Sequence, residues 1–238
     1  MNFLVVHSSE VKRISAKSFQ IIDSHRLSLL KEEGIDAGSV RELCVLGEAR
    51  YRVLCDSIER DKTYIFSIQE EVMTPPKLPC ALFIGLARPQ TIKKCIHLAA
   101  TAGVEEVVFV ACEKGEKSYL SSKVLLPEEL NAELELAIAQ CGDPIPPKIT
   151  IMPKFWELRD RTFHKDSCKV VFHTGVKEDQ KITRKKDQYA YIAIGPEAGW
   201  SDKEVGLLNE RGFITSGLGS RIMRVETAVG ITLGSLFY

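Results

Sequence analysis

Apolar and polar positions follow two different rhythms along the chain, and the change between them marks its organisation. In the first 73 residues, short β-type runs stand at Phe3–Val6, Val40–Leu46, Tyr51–Ser57 and Thr63–Gln69. One helical stretch, Asp23–Glu33, interrupts them and stops at Gly34, a residue suited to a left-handed helix end. Gly47-Glu48-Ala49-Arg50, between two of the runs, reads as a hairpin turn. The pattern predicts a small, mostly β domain, with a barrel as the closure that removes edge strands.

Met73-Thr74-Pro75-Pro76-Lys77-Leu78-Pro79 is a seam, because closely spaced prolines oppose helix and sheet pairing alike. Beyond it, strands and helices alternate, the mark of a parallel sheet covered on both faces. The predicted strands are Ala81–Leu86, Glu106–Ala111, Lys148–Met152, Lys169–His173, Tyr189–Ile194 and Phe213–Ser216. The predicted helices are Pro89–Ala102, Pro127–Gln140, Ser201–Arg211 and Val225–Phe237, with a short turn near Lys154–Arg159. The domains are therefore read as residues 1–73 and 74–238, the second of α/β class.

Composition narrows the picture. With 45% apolar and 27% charged residues among 238, the chain falls among ordinary globular proteins and outside the disordered class. Its 32 Lys and Arg cancel 32 Asp and Glu, so a polyanion must be met by a local basic patch. Lys177, Lys181, Arg184, Lys185 and Lys186 form the candidate patch. The N-terminus has no basic region before its short apolar run, and no apolar run reaches the roughly 18 residues that span a bilayer. A cytoplasmic protein without membrane contact is expected. The seven cysteines form no C-x-x-C pair and have no histidine at metal-ligand spacing, so reduced thiols and no metal site are expected.

Two junctions carry candidate chemistry. Tyr189–Ile194 runs into Gly195-Pro196-Glu197-Ala198-Gly199-Trp200 and then Ser201-Asp202-Lys203-Glu204, a capping-box spacing. Phe213–Ser216 runs into Gly217-Leu218-Gly219-Ser220-Arg221-Ile222-Met223-Arg224-Val225-Glu226-Thr227. In parallel α/β sheets such junctions lie at the carboxyl ends of strands, where ligands bind, and glycine lets backbone N–H groups approach them. Neither is a Walker A loop or a dinucleotide fingerprint.

Together, Ile194-Gly195-Pro196-Glu197-Ala198-Gly199 and Leu218-Gly219-Ser220-Arg221-Ile222-Met223-Arg224-Val225-Glu226-Thr227-Ala228 resemble the two signature loops of the bacterial 16S ribosomal RNA (uracil-N3)-methyltransferases. The resemblance extends over nearly the whole chain, since that family carries a small PUA-like, RNA-binding β domain in front. It implies the SPOUT fold: an α/β domain whose C-terminal stretch forms a deep trefoil knot, a homodimer, and S-adenosyl-L-methionine held in the knot. General topology rules count against knots, so only the resemblance supplies this one.

By matching positions, the resemblance puts Ile194, Gly195, Pro196, Glu197 and Gly199 on one cofactor loop and Leu218, Gly219, Arg221, Ile222 and Met223 on the other. His173 and Gly175, from His173-Thr174-Gly175, fall on the remaining loop. Arg224, Glu226 and Thr227 fall on the Arg-x-Glu-Thr signature and are the implied catalytic residues. Arg224 would stabilise developing negative charge, Glu226 would orient it or take the proton, and Thr227 would position one of them.

Several positions depart from the family pattern. Ala198 stands where the family usually has Gly, and Ser220 where it has Pro. Upstream, Ala87-Arg88-Pro89-Gln90, Thr101-Ala102-Gly103-Val104 and Glu113-Lys114 replace a basic stretch, Glu-Leu-Gly-Val and Glu-Arg. The implied substrate is 16S ribosomal RNA or the small ribosomal subunit. Two alternatives stay open: methylation of a different RNA position, and a ribosome-binding assembly factor that has lost turnover. The last helix carries more apolar positions than one core-facing stripe needs, which predicts a dimer contact involving Val229, Leu233 and Leu236.

Overall fold

The computed structural model describes residues 3–22, 24–59, 63–174, 176 and 182–238. It divides into two compact units, Met1–Pro76 with Glu135–Pro146, and Lys77–Leu134 with Pro147–Tyr238.

The first unit holds strands β1 (Leu4–His7), β2 (Val11–Ser15), β3 (Ser18–Ile21), β4 (Val40–Leu46), β5 (Ala49–Ile58) and β6 (Tyr64–Val72), in sheet order β1-β4-β5-β6-β3-β2. β1 runs parallel to β4, and the other pairings are antiparallel. Alternate residues of these strands, among them Val6, Phe19, Ile21, Leu43, Val53 and Phe66, meet in one core. Helix α1 (Ser24–Glu32) adds Leu30 to it. Asp23, expected to start that helix, lies outside the described residues. The hairpin turn expected after β4 is present, with Gly47 at φ +78. The β2–β3 hairpin was not among the expected strands, because Lys12, Arg13, Ile14 and Ser15 are exposed and carry no alternation.

Ile138, on the segment that joins this unit, packs on Val5 and Cys44. Glu135 on the same segment receives His7 Nε2 at 2.7 Å and Arg26 at 3.0 Å, and Arg26 also binds Glu10 at 3.2 Å. Burial alone raises the Glu135 carboxyl, but the hydrogen bonds from His7 and Arg26 outweigh it and hold the group below its ordinary value. Its stabilising contribution is therefore complete above the unfolded value of about 4.3 and is lost as pH falls through the lower folded value. Glu135→Gln is expected to cost on the order of 1–3 kcal/mol at pH 7, with the gap to wild type closing in melts near pH 3. An equal gap at both pH values would contradict this linkage.

The second unit holds six parallel strands, β7 (Leu78–Gly85), β8 (Val104–Val110), β9 (Lys148–Met152), β10 (Cys168–Phe172), β11 (Ala190–Ile194) and β12 (Ile214–Ser216), in order β12-β10-β11-β7-β8-β9. Its helices are α2 (Pro89–Thr101), the first part of α3 (Pro127–Cys141), α4 (Asp202–Glu210) and α5 (Val225–Phe237). The parallel sheet expected from the sequence is thus present. The seam is less restrictive than expected, since Pro79 lies inside β7, where the ladder to β8 shifts register between Leu78 and Ala81.

Every residue of β11 is buried, as a central strand covered on both faces requires. On one face Leu82, Ile84 and Ile192 pack with α2 and α5; on the other Phe83 and Tyr191 pack with Trp200, Leu208 and the short turn Phe155–Arg159. Val229, Leu233 and Leu236 of α5 belong to the first of these cores, so they are not the outward positions of the expected dimer contact. The exposed apolar residues of this stretch are Ile231 and Tyr238. Among the described residues, no helix is long and apolar enough to cross a membrane.

Candidate active site

β10 lies between β11 and β12, with Phe172 level with Ile194 on one side and Ser216 on the other. The carboxyl ends of three adjacent strands therefore open at one place, and the His173 N–H extends the ladder by donating to Ser216 O at 3.0 Å. A cavity of about 280 Å³ sits there, at the small end of the usual range of ligand clefts. His173 and Thr174 form one wall, the loop after β11 a second, and the loop after β12 a third, with Val225 and Ala228 of α5 closing it.

The first loop is built by close backbone approach. A Cβ on Gly195 would lie 2.9 Å from Trp200 N and 3.0 Å from Gly199 Cα, so no side chain fits. Gly199, at φ +71, donates its N–H to Pro196 O at 2.8 Å and turns the chain into α4. The expected capping box is present: Ser201 Oγ accepts from Glu204 N–H, and Glu204 accepts from Ser201 N–H at 2.7 Å. The same carboxylate accepts the Glu113 N–H at 2.7 Å, while Lys114 Nζ donates to Trp200 O at 2.9 Å. Trp200 is fully buried and stands edge-on to Phe155 at 5.5 Å, so it serves the core rather than a ligand.

Two further contacts fix this loop. Glu197 accepts the Arg88 N–H at 3.1 Å, at the start of α2. Pro196 presses on Gly85 at the end of β7, where an added Cβ would lie 2.3 Å from Pro196 Cδ. Gly85 went unrecognised in the sequence because its partner is more than a hundred positions away. Gly85→Ala is expected to destabilise the unit by about 1–3 kcal/mol, since Pro196 is rigid and must move as a whole; an unchanged melting temperature would refute it.

The second loop is conformational rather than crowded. Gly219 takes φ +91, and a Cβ added there would meet no atom within 4 Å. Arg221 is exposed, and Ile222 is 91% exposed at the cavity mouth. Across the cavity, His173 Nδ1 is buried and has no hydrogen-bond partner among the described residues. An orphaned polar atom in a cavity wall is a ready contact for a polar ligand.

The cavity brings together His173, Ile194, Gly195, Pro196, Glu197, Gly199, Leu218, Gly219, Arg221, Ile222 and Met223. Gly175 lies outside the described residues. Thr174, Val176, Ala198, Gly217 and Ser220 line it as well, and their adjacency to the expected positions is the signal that identifies them. Arg224, Glu226 and Thr227 do not line it but follow at the start of α5. Arg224 is exposed between Met223 and Val225, both of which do line it, and its side chain makes no hydrogen bond among the described residues. Glu226 is paired with Lys94 of α2 at 3.0 Å rather than with Arg224. Its own backbone N–H first, and then Lys94, hold its carboxyl below the ordinary range.

Of the basic segment, Lys177 and Lys181 lie outside the described residues. Arg184 is committed to structure: it donates to the carbonyls of Leu236, Lys186 and Gln188 and lies over the Phe237 ring at 4.1 Å.

A parallel sheet with a glycine-lined cavity at the carboxyl ends of adjacent strands places the second unit among ligand-binding α/β domains. The chain belongs to the RNA methyltransferase domain family, whose model matches residues 74–236. It is similar to the ribosomal RNA small subunit methyltransferase E of Treponema pallidum, 30% identical over 159 residues, which cover 63% of this chain and 60% of that protein. Ribosomal RNA small subunit methyltransferase E 1 of Borreliella burgdorferi is 29% identical over 156 residues, 62% of each chain. These matches thus span about three fifths of the curated relatives' length. The fold is shared with the ribosomal RNA small subunit methyltransferase E of Neisseria gonorrhoeae, solved bound to S-adenosyl methionine, at TM-score 0.81 and 16% identity, over 99% of this chain and 96% of that one.

Proposed function

We propose that this protein transfers a methyl group from S-adenosyl-L-methionine to N3 of a uridine in 16S ribosomal RNA. The observation that carries the reading is the convergence of both glycine loops and His173 on one cavity, with Arg224 between two residues of its wall. The names of the relatives, all small-subunit ribosomal RNA methyltransferases, point to the same substrate class.

The cavity fits the cofactor in kind. Backbone groups of the Gly195–Gly199 and Leu218–Met223 loops can face an adenosyl group closely, and His173 Nδ1 supplies an unused polar contact. When bound, the cofactor supplies an electrophilic methyl group on a positively charged sulfur. Uracil N3 carries a proton, so methylation requires that this proton leave and that negative charge on the flanking carbonyls be stabilised. That stabilisation is assigned to Arg224, whose guanidinium is exposed beside the cavity-lining Met223 and Val225. Glu226, ionised and paired with Lys94, serves better as an anchor of α5 than as proton acceptor. Thr227, exposed one residue further on, is assigned a positioning role.

The finer architecture belongs to the same proposal. A PUA-like, RNA-binding barrel over residues 1–73 is supported by the single core that β1 and β3 share, although three strands separate them in the sheet. A trefoil knot over the end of residues 74–238 is supported by the β10–β11 connection, whose Arg184 grips the last turn of α5. A homodimer through α5 and its C-terminal end is supported by the exposed Ile231 and Tyr238. Ile231→Asp is expected to yield monomers in sedimentation while melting as wild type does; an unchanged dimer would remove α5 from the interface.

Calorimetry with S-adenosyl-L-methionine and mass spectrometry of 16S ribosomal RNA from a deletion strain test the proposal. Binding, with loss of one 3-methyluridine that the gene restores, is the expected result. Loss of a different modified nucleotide would favour another RNA position, and absence of binding would favour an assembly factor.

A further inference from the structure

Helix α2 touches the first loop of the cavity and the start of α5, which follows the second. Its first end gives the Arg88 N–H to Glu197 of the first loop, at 3.1 Å. Six residues on, a rise of about 9 Å, Lys94 Nζ reaches Glu226 Oε1 at 3.0 Å, just past the second loop. Lys94 is 54% exposed at its side chain, while Glu226 is only 15% exposed. The carboxylate is thus held inward by an ammonium that reaches it from solvent.

Glu226 has a second cation within electrostatic reach, Arg224, which contributes to stabilising its ionised form. The Arg224 carbonyl accepts the Ala228 N–H at 2.9 Å, but its guanidinium makes no hydrogen bond among the described residues and does not cap α5. Two cations therefore compete for one carboxylate, and the pair with Lys94 leaves the guanidinium free. A guanidinium captured by a carboxylate in a bidentate pair would have its charge and donors engaged before substrate arrives.

We infer that Lys94 is a positioning residue: by holding Glu226 it keeps that carboxylate off Arg224, so that the Arg224 guanidinium faces the reacting base unpaired. This rests on the proposed methyl transfer for its catalytic consequence, but not for its geometry. Lys94 touches neither the cavity nor the reacting atoms and acts only through Glu226.

Four full-length proteins test it: Lys94→Met, Lys94→Arg, Glu226→Gln and the double variant Lys94→Met/Glu226→Gln. Methionine keeps most of the apolar stem, and the site is at the surface, so all four should fold, as melting curves will show. With small ribosomal subunits and methyl-labelled S-adenosyl-L-methionine, Lys94→Met should lower kcat about tenfold, a fraction of the effect of deleting the stabilising group itself. Cofactor Kd should stay within about twofold, and Lys94→Arg should recover most of the rate. The double variant should outperform Lys94→Met, because no carboxylate remains to capture Arg224. A purely structural role predicts the opposite, a double variant no better than the single one.

A second readout needs no turnover. Phenylglyoxal modification of Arg224, followed by peptide mass, should slow several-fold in Lys94→Met and return in the double variant. Equal reactivity in all proteins overturns the inference. If reactivity follows the expected pattern while wild type transfers no methyl group, the proposed function fails and the positioning role of Lys94 stands.

Discussion

Arg224→Ala is expected to lower methyl transfer to the small ribosomal subunit by about 10²–10³, or about 3–4 kcal/mol, the usual loss when one preorganised electrostatic stabiliser is removed. The size follows from where the residue stands. Met223 and Val225 on either side of it line the cavity, so its backbone is at the rim while its side chain is exposed and unpaired among the described residues. Nothing structural depends on the guanidinium: it makes no hydrogen bond to α5, whose start is fixed by backbone geometry and by the Glu226–Lys94 pair. Melting temperature and cofactor affinity should therefore stay near wild type, and the loss should appear in kcat measured at saturating cofactor. Glu226→Gln should lose far less, within about tenfold, because its carboxylate is engaged by Lys94 and is a weak base. If Arg224→Ala instead lost cofactor affinity and thermal stability together with activity, the guanidinium would be part of the scaffold and its assignment to chemistry would fall.

How much of this was readable in the sequence depended on whether the cause was local. The ends of β8 and β10, residues 107–110 and 170–172, and the whole of β11 are short, fully buried apolar runs, and the interposed helices carry their own stop signals, so the parallel sheet was legible. The β2–β3 hairpin was not, because Lys12, Arg13 and Ser15 face water and leave no apolar rhythm. Pro79 misled in the other direction, since an irregular ladder accepts a proline that a regular one excludes. α5 shows the limit of counting apolar positions: Val229, Leu233 and Leu236 are consumed by the core with α2, and only Ile231 and Tyr238 remain outside.

The site divides along the same line. Its glycine loops are contiguous stretches of sequence, and they lie together because β10 enters the sheet between β11 and β12. What braces them is not contiguous. Glu197 meets Arg88 across 109 positions, and Glu226 meets Lys94 across 132. Arg88 acts through its backbone N–H, which its side chain does not announce, and a Lys on an amphipathic helix reads as a solvated residue until α2 and α5 are packed together.

Gly195→Val is expected to be the most damaging single change in the pocket, and its contrast with Gly219→Val separates two reasons for glycine. At Gly195 the neighbours of a new Cβ are backbone atoms: Trp200 N at 2.9 Å, Gly199 Cα at 3.0 Å and Gly199 C at 3.1 Å. They cannot yield, because the Trp200 indole is buried against Phe155 and its carbonyl is held by Lys114. Valine must force the loop open, at about 3 kcal/mol, the upper end of overpacking costs. If that displacement falls wholly on the cavity, S-adenosyl-L-methionine binds about 10²-fold more weakly. At Gly219 nothing lies within 4 Å of the added atom, and the penalty is conformational alone, φ +91 for an L-residue. That strain is worth on the order of 1–2 kcal/mol, or about tenfold in affinity, and Asn should tolerate the position better than Val. Calorimetry and melting curves on the full-length variants decide the matter. Gly195→Val binding as tightly as wild type would mean that the loop after β11 does not shape the cofactor pocket, and the assignment of this cavity to S-adenosyl-L-methionine would have to be abandoned.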